Sequence, residues 1–255
     1  MNRLTFLGTG GARVLVFKQI LASGGLWVEM EGTRFHLDPG PGALVQATKR
    51  KLDPTKLDGI ILSHRHLDHA ADVNVMIEAM TTGGINRRGA VYAPRDAYED
   101  DSVILHYLRD YVREVYIIEE GGRYQLGDVT FTAPVRHRHP GEVYGFVFET
   151  AACRWAYISD TRYFPELAEH YRAEVLVMHV VRLEESEIYH LSLPDARRLI
   201  EAIRPKAAIL THFGMTMWRA KPWEVAARLS DETGVEVLAA REGMKYDLPP
   251  REEAR

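Results

Sequence analysis

The sequence predicts an α/β fold in which two β-sheets pack together and helices flank them. Short apolar runs typical of strands alternate with helical patterns along the whole chain. No proline-rich or low-complexity linker divides the 255 residues, and the 46% hydrophobic composition suffices for a substantial core. We therefore expect a single domain over residues 1–248, followed by a polar tail over residues 249–255.

The first half of the chain predicts mainly strands separated by glycine-rich turns. Two helices are expected beside them, one starting at Pro41 and one ending before Gly83, and a third, polar helix is expected between the last two strands. The predicted strands are RLTFLG, RVLVF, LWVEM, TRFHLD, LDGIILS, GAVYAP and EVYIIEE. The predicted helices are PGALVQATKRK, LDHAADVNVMIEAM and DAYEDDSVILHYLRDYV.

The second half repeats this make-up. YQLGDVTFTAPVRH predicts a hairpin that turns at Gly127-Asp128. The remaining predicted strands are EVYGFVFET, CRWAYISD, AEVLVMHV, KAAILTHF, GVEVLAA and GMKYDL, and the predicted helices are SLPDARRLIEAI and a last one near WEVAARLSDE. Both halves place a histidine directly after an apolar strand, in GIILSHRH and AAILTHFG, which suggests a diverged duplication.

Composition and charge narrow the class of protein. The net charge of −4 provides no general attraction for nucleic acid. The single cysteine, Cys153, excludes an internal disulfide and a cysteine-based metal site. No secretory signal is evident and no run approaches eighteen apolar residues, so we expect a cytoplasmic protein without a membrane segment.

The stretch ILSHRHLDHAAD carries the strongest chemical signal. Side chains two apart on an extended segment project to one side, so His64 and His66 can point together. Asp68 and His69 follow where the strand turns into a helix. Imidazole and carboxylate ligands without thiolate suit zinc, iron or manganese. Unrelated surface histidines rarely occur at this density, which favours a metal site.

These residues resemble the H-x-H-x-D-H signature of the metallo-β-lactamase superfamily, and the similarity extends further. Four other motifs fall in that superfamily's order, so the resemblance covers about residues 4 to 214. They are FLGTGG near the start, LDPGPG at 37–42, ISDT at 158–161 and LTHFG at 210–214. The resemblance implies a four-layer αβ/βα sandwich whose two halves meet along a groove that holds two metal ions.

The resemblance also implies the metal ligands. His64 and His66 would bind the first ion together with one further histidine. The second ion would be bound by Asp68, His69 and His212, and Asp160 would bridge both ions. The implied cofactors are two divalent ions, with zinc expected and manganese or iron as alternatives.

The further ligand of the first ion is either His137 or His139, which we expect on one side of an extended chain. The pair Tyr144-Gly145 resembles the aromatic-glycine pair that follows the ligand histidine in phosphodiesterase-like branches, and counting back from it favours His139. Counting forward from Pro134 favours His137. We prefer His139, because the Tyr144-Gly145 pair lies in a strand and is harder to displace.

Two other histidines are candidates for the site. His190 lies in HLSLPDARRLIEAIRPKAAILTHFG, which resembles the corresponding segment of the RNase Z type of tRNA 3′-end endonuclease. The resemblance implies that His190 helps to protonate the leaving group. The alternative is that His190 caps the following helix. His179 ends the run VLVMH and is given a smaller weight.

Hydrolysis is the reaction that this ligand set implies. Two neighbouring divalent ions lower the pKa of a bound water from its value in bulk solvent to about 7, and Asp68 or Asp160 would orient that water. The favoured hypothesis is a phosphodiesterase acting on a small nucleotide or a cyclic phosphate. The alternatives are a hydrolase of carboxylic esters, thioesters or lactones, and a metal-binding sensor, which the complete ligand set disfavours.

The RNase Z type carries a long arm that grips tRNA. Here the chain passes from ISDT to AEVLVMH in too few residues to form it. We therefore expect a small-molecule substrate rather than nucleic acid. The sequence is compatible with a homo-oligomer but does not specify one.

Overall fold

The chain forms two mixed β-sheets that pack face to face, with helices on both outer surfaces. A computed structural model describes residues 2–100 and 102–251. This arrangement is the four-layer sandwich that the sequence predicted.

The strands in chain order are β1 Arg3–Gly8, β2 Ser23–Met30, β3 Thr33–Leu37, β4 Gly59–Ile61, β5 Ala90–Pro94, β6 Glu114–Ile118, β7 Gly122–Leu126, β8 Val129–Ala133, β9 Phe146–Glu149, β10 Arg154–Ile158, β11 Val175–Arg182, β12 Leu191–Ser192, β13 Ala207–Thr211, β14 Glu236–Ala239 and β15 Lys245–Asp247. The α-helices are α1 Ala12–Phe17, α2 Ala43–Lys49, α3 Leu67–Ala70, α4 Val73–Met80, α5 Leu167–His170, α6 Leu193–Ile203, α7 Met215–Arg219 and α8 Pro222–Thr233. None of the helices in the described ranges is both long enough and apolar enough to span a bilayer.

The two sheets share one pairing pattern. The first has the order β15-β1-β2-β3-β4-β5-β6 and the second β14-β13-β11-β10-β9-β8-β7, with β12 beside β11. In the first sheet the pairs from β15 to β3 are antiparallel and those from β3 to β6 are parallel. In the second sheet the pairs from β7 to β10 are antiparallel, and those from β10 through β11 and β13 to β14 are parallel. The carboxyl ends of the parallel strands therefore meet at one edge of each sheet, where ligands commonly bind in open α/β sheets.

The core explains why the parallel strands are apolar on both faces. On β10, Trp155 and Tyr157 pack between the two sheets, whereas Ala156 and Ile158 pack against the outer helices. The outer face of the first sheet is covered by α2 and α4 in the same way. Burial of one large apolar side chain contributes roughly 1.5–3 kcal/mol, so apolar residues on both faces stabilise the layered arrangement.

Three predicted elements were wrong in detail. RVLVF is not a strand but α1, because β1 pairs directly with β2 and leaves no position between them. The predicted helix over 96–112 is broken into a π-turn at Asp96–Asp100 and a 3₁₀ turn at His106–Leu108, and residue 101 lies outside the described chain. The Ser102 hydroxyl donates to the carbonyl of Ile104 and accepts from the N–H of the same residue. Such local hydrogen bonds compete with those of a helix.

The predicted helix over 67–80 is divided into α3 and α4 at Asp72. The Asp72 N–H donates to the carbonyl of Pro39 at 2.9 Å, and its carboxylate accepts from the N–H of Leu44 at 3.2 Å. These bonds fix the end of the stretch ILSHRHLDHAAD against the loop after β3. The short helices α5 and α7 and the strand β12 were not predicted.

The last described residues lie beside both sheets. β15 extends the first sheet next to β1, as GMKYDL predicted. Arg251 donates from its backbone to Ala152 at 2.6 Å and from its side chain to Glu149 at 2.6 Å, so the beginning of the predicted tail contacts the β9–β10 hairpin. Residues 252–255 lie outside the described chain, and the division at residue 248 stays a prediction.

The first prediction concerns the start of α6. Ser192 accepts from the N–H of Asp195, and the Asp195 carboxylate accepts from the N–H of Ser192 at 2.9 Å, which forms a capping box. Ser192→Ala should lower the free energy of unfolding by about 1 kcal/mol, measured by urea denaturation. Ser186→Ala in an exposed loop is the control and should change it little. Equal stability of both variants would contradict this assignment of the cap.

Candidate metal centre

Histidine and aspartate side chains form a polar cluster where strands of both sheets end. Asp38 follows β3 and His64 follows β4 in the first sheet, whereas Asp160 follows β10 and His212 follows β13 in the second. His179 lies in β11 between those two strands. Because the two sheets face each other, their strand ends bring these side chains into one site.

The first group of candidate ligands consists of His64, His66 and His139. The His64 Nε2 and His66 Nδ1 atoms lie 3.1 Å apart, and His66 Nδ1 lies 3.3 Å from His139 Nε2. One nitrogen of each ring falls within 4.8 Å of the others. The structure thus brings together the three histidines that the sequence assigned to the first ion.

His137 points elsewhere. Its Nε2 lies 2.7 Å from the Tyr171 hydroxyl and its Nδ1 lies 3.2 Å from the carbonyl of Asp160, so both nitrogens are occupied in the interior. The expectation that His137 and His139 share one side of an extended chain was wrong. The N–H of His139 donates to the carbonyl of His137 at 3.1 Å, and this tight turn separates the two rings.

The second group gathers around Asp160. His212 Nε2 lies 3.3 Å from Asp160 Oδ1, and His69 Nε2 lies 3.5 Å from Asp160 Oδ2. Asp68 Oδ2 lies 3.6 Å from His212 Nε2 and 3.9 Å from His69 Nε2. Asp160 Oδ2 also lies 3.8 Å from His64 Nε2. Asp160 therefore lies between the two groups, in the position that a bridging ligand would occupy.

The buried nitrogens of this cluster fit divalent cations. His69 Nε2 and His212 Nε2 are buried without a hydrogen-bond partner, although buried polar atoms are usually satisfied. Both atoms face carboxylate oxygens, and the donor set contains only imidazole and carboxylate. Such a set suits zinc, iron or manganese, so the residues fit the implied ions.

Charge interactions hold this cluster in an unusual protonation state. Burial by itself lowers the pKa of His69, but Asp68 and Asp38 outweigh it and raise the pKa well above its usual value. Burial raises the pKa of Asp160, but His212 and His190 outweigh it and hold the pKa well below its usual value. A proton on His69 is thus favoured beside these carboxylates, and a bound cation would replace it.

Asp38 orients ligands of both groups. Its Oδ2 lies 3.0 Å from His69 Nδ1 and accepts from the Ser63 hydroxyl at 2.6 Å, and Ser63 Oγ lies 2.9 Å from His64 Nδ1. These contacts direct the Nε2 atoms of both rings into the site. Asp38 lies in the motif LDPGPG, but no role was predicted for it. The available signal was an aspartate directly after an apolar strand, as at Asp160.

His179 belongs to the site, although it was predicted with a smaller weight than the other histidines. Its Nδ1 lies 2.9 Å from Asp160 Oδ1 and its Nε2 lies 2.8 Å from the Tyr157 hydroxyl. Burial lowers the pKa of His179 to about 3. Since both nitrogens have partners, His179 is better placed to orient Asp160 than to bind an ion. The available signal was its position at the end of a buried strand.

His190 lies at the edge of the cluster, with a side chain that is 18% exposed. Its Nδ1 lies 3.6 Å from Asp160 Oδ2, and its ring centre lies 4.9 Å from that of His139. The alternative role of helix cap belongs instead to Ser192. His190 therefore faces both the candidate metal ligands and solvent.

The motif FLGTGG has a packing role beside His212. A Cβ atom on Gly11 would lie 2.2 Å from Cδ2 of the His212 ring, so any larger residue would displace that imidazole. His212 itself has a φ of 57°, in the left-handed region that is costly for a residue with a side chain. Close contact with Gly11 holds the imidazole in this conformation.

The fold and this site together define a metal-dependent hydrolase. Residues 33–213 match the family model described as a beta-lactamase superfamily domain. The chain therefore belongs to the metallo-β-lactamase superfamily, as the sequence motifs indicated.

Similar proteins agree with this assignment. An uncharacterized protein of Methanocaldococcus jannaschii is 32% identical over 254 residues, covering 96% of this chain and 94% of that one. A ribonuclease Z of Methanopyrus kandleri is 31% identical over 133 residues, 49% of this chain and 43% of its own length.

Solved structures share the fold at lower identity. The metallo-β-lactamase fold protein YhfI of Bacillus subtilis has a TM-score of 0.82 at 18% identity and covers 96% of this chain and 99% of its own. A diphosphatase from the PhnP family has a TM-score of 0.71 at 19% identity, covering 98% and 99%.

We expect the protein to bind close to two divalent ions per chain, because the two groups of ligands flank Asp160. Elemental analysis after reconstitution with zinc or manganese measures this number. Asp68→Ala should lower it to about one, since Asp68 lies beside His69 and His212 of the second group. A wild-type content of one ion or none would contradict the assignment.

The two middle histidines should differ in metal binding. His139→Ala should weaken binding of the first ion by at least about tenfold more than His137→Ala, because only His139 faces His66. Isothermal titration with zinc compares the two variants. A stronger effect of His137→Ala would reverse the assignment, and the variant's melting temperature shows whether lost packing against Tyr171 explains it.

Proposed function

We propose that the protein is a phosphodiesterase that hydrolyses a small nucleotide or a cyclic phosphate with two divalent ions, preferably zinc. The observation that carries this proposal is the position of His190 at the open side of the cluster, 3.6 Å from Asp160. A proton donor at that place serves a reaction whose leaving group departs poorly without a proton.

The ligands would divide as the geometry groups them. His64, His66 and His139 would hold one ion, whereas Asp68, His69 and His212 would hold the other. Asp160 would contact both. When bound, the ions supply Lewis acidity and lower the pKa of a coordinated water to about 7.

The side chains would prepare the reacting groups. The Asp68 side chain is 21% exposed, so its carboxylate can accept a hydrogen bond from the attacking water. It can then take up the proton that the water loses. Asp38 and His179 keep His69 and Asp160 oriented through hydrogen bonds. Little reorganisation is then needed when charge develops on the phosphoryl oxygens.

His190 would act on the other side of the phosphorus. An alkoxide leaving group has a conjugate-acid pKa far above neutrality, and proton donation to it contributes typically about 10²–10⁴-fold. The His190 Nδ1 atom is buried and makes no hydrogen bond, although it faces the Asp160 carboxylate at 3.6 Å. This supports a role as general acid.

The surroundings favour a small substrate over tRNA. Between Ala133 and Val175 the chain forms only β9, β10 and α5, and no long arm projects from it. A groove of about 490 Å³ opens on the His66 side of the cluster, and His66 is the candidate ligand that lines it, together with Arg65, Leu67 and Asn74. This volume is within the range of roughly 300–1,000 Å³ for small-molecule sites. The similar ribonuclease Z and PhnP-family diphosphatase support cleavage of a phosphate ester or anhydride.

The variant His190→Ala tests the proposed role directly. It should keep its metal content and most of its activity on a nitrophenyl phosphodiester, because nitrophenolate leaves without a proton. On an alkyl or ribonucleotide diester, kcat should fall by about 10²–10⁴-fold. Equal losses on both substrates would remove His190 from the mechanism.

A substrate panel decides between bond types. The reconstituted wild-type protein should hydrolyse a phosphodiester faster than a phosphomonoester, a thioester or a lactone. Preference for the thioester or lactone would replace the proposal by an acyl hydrolase, and no turnover of any substrate would favour a metal-binding sensor.

A further inference from the structure

The segment that carries His190 is irregular and exposed. Residues 183–190, the His190 segment, contain no helix or strand, and residues 184–189 are all exposed. Segments with few buried contacts open easily. Whatever fixes this segment therefore fixes where the His190 imidazole lies.

Arg162 binds the middle of the His190 segment. Its guanidinium donates to the backbone carbonyl of Glu187 and lies 3.3 Å from the Glu187 carboxylate. The same guanidinium lies over the Tyr189 ring, 5.0 Å from the ring centre. The Arg162 backbone is fixed in turn, because its N–H donates to the carbonyl of Arg138 at 2.9 Å.

These contacts reach both sides of the candidate metal centre. The carbonyl of Tyr189 accepts from His139 Nδ1 at 2.6 Å, which leaves His139 Nε2 directed towards His66. The next residue is His190, whose N–H donates to the carbonyl of Ile188 at 2.9 Å. Arg162 thus contacts Tyr189, whose carbonyl orients His139 and which directly precedes His190.

We propose that Arg162 is a positioning residue that holds the His190 segment against the metal centre, so that His190 can protonate the leaving group. This inference rests on the proposed phosphodiesterase function. The backbone carbonyl and the ring of Tyr189 are the contacts that matter. The Glu187 carboxylate is fully exposed, and exposed ion pairs contribute little.

A different role for Arg162 would be direct contact with a substrate phosphate, since its side chain is 40% exposed. The two roles predict different kinetics. Direct contact would affect all phosphodiesters equally and independently of His190. At unchanged metal content, which shows that His139 is still in place, positioning would affect only substrates that need the proton from His190.

The first test needs no enzymatic activity. A glutamate-specific protease can cut after Glu184, Glu185 and Glu187 only when the segment opens. Loss of a charge-assisted hydrogen bond in Arg162→Ala should make native-state cleavage there about tenfold faster. Arg138→Ala is the matched control, because Arg138 lies over Phe164 and not over the His190 segment. Unchanged cleavage in Arg162→Ala would show that Arg162 does not hold the His190 segment, whatever the substrate is.

The second test separates positioning from substrate binding. Arg162→Ala should lower kcat on an alkyl diester by roughly tenfold to a hundredfold and change the nitrophenyl diester little. Arg162→Lys should recover only part of the loss, because lysine lacks the planar fork that stacks on Tyr189. Glu187→Ala keeps the backbone carbonyl and should behave like the wild type.

The double variant completes the cycle. In the His190→Ala background, Arg162→Ala should cause almost no further loss on the alkyl diester. Multiplied losses, or equal losses on both diesters, would overturn positioning in favour of phosphate contact. If protease cleavage is faster in Arg162→Ala but the wild type hydrolyses no phosphodiester, Arg162 still holds the His190 segment and the proposed function fails.

Discussion

The structure depends on one buried carboxylate. Asp160 is 2% exposed and has five imidazoles within 4 Å of its oxygens. They belong to His64, His69, His179, His190 and His212. A buried carboxylate without cations nearby would be strongly unfavourable. Burial lowers the pKa values of His69 and His190, but nearby carboxylates outweigh it and raise them, so these two imidazoles offset the charge of Asp160. The Nε2 atoms of His69 and His212 lie near its oxygens without hydrogen-bond partners, so the surroundings of Asp160 also form a site for cations.

Hydrogen bonds next to Asp160 also connect the two sheets. The Tyr157 hydroxyl of the second sheet donates to Asp38 of the first at 2.8 Å, and the Ser159 hydroxyl donates to Ser63 at 2.8 Å. These bonds lie at the ends of the strands that carry the candidate ligands. Sheet packing and site geometry are therefore coupled, and a change in the distance between the sheets would move His64 relative to Asp160. Hydrogen-bond networks of this kind strengthen one another in a low-dielectric interior.

The site has a rigid part and an adjustable part. The ligands lie on strand ends, and Asp38 and His212 have φ values of 53° and 57°, conformations that persist only where surrounding contacts determine them. His190 instead lies on an irregular segment held by a few polar contacts. Such a division suits a hydrolase, because cation binding needs fixed geometry whereas substrate entry and product release need a part that can open.

The sequence alone determined the features that are local along the chain. Four candidate ligands fall within six residues, and strand patterns with apolar faces predict the layers, so the family, the fold and most of the cluster followed from short-range patterns. Only the tertiary structure decided the rest. His179 and Asp38 became site residues because of strand order, which no local pattern encodes. A tight turn separated His137 from His139, and direct pairing of β1 with β2 left α1 outside the sheet. Contacts between residues far apart in the chain decide such features, and their energies exceed local preferences.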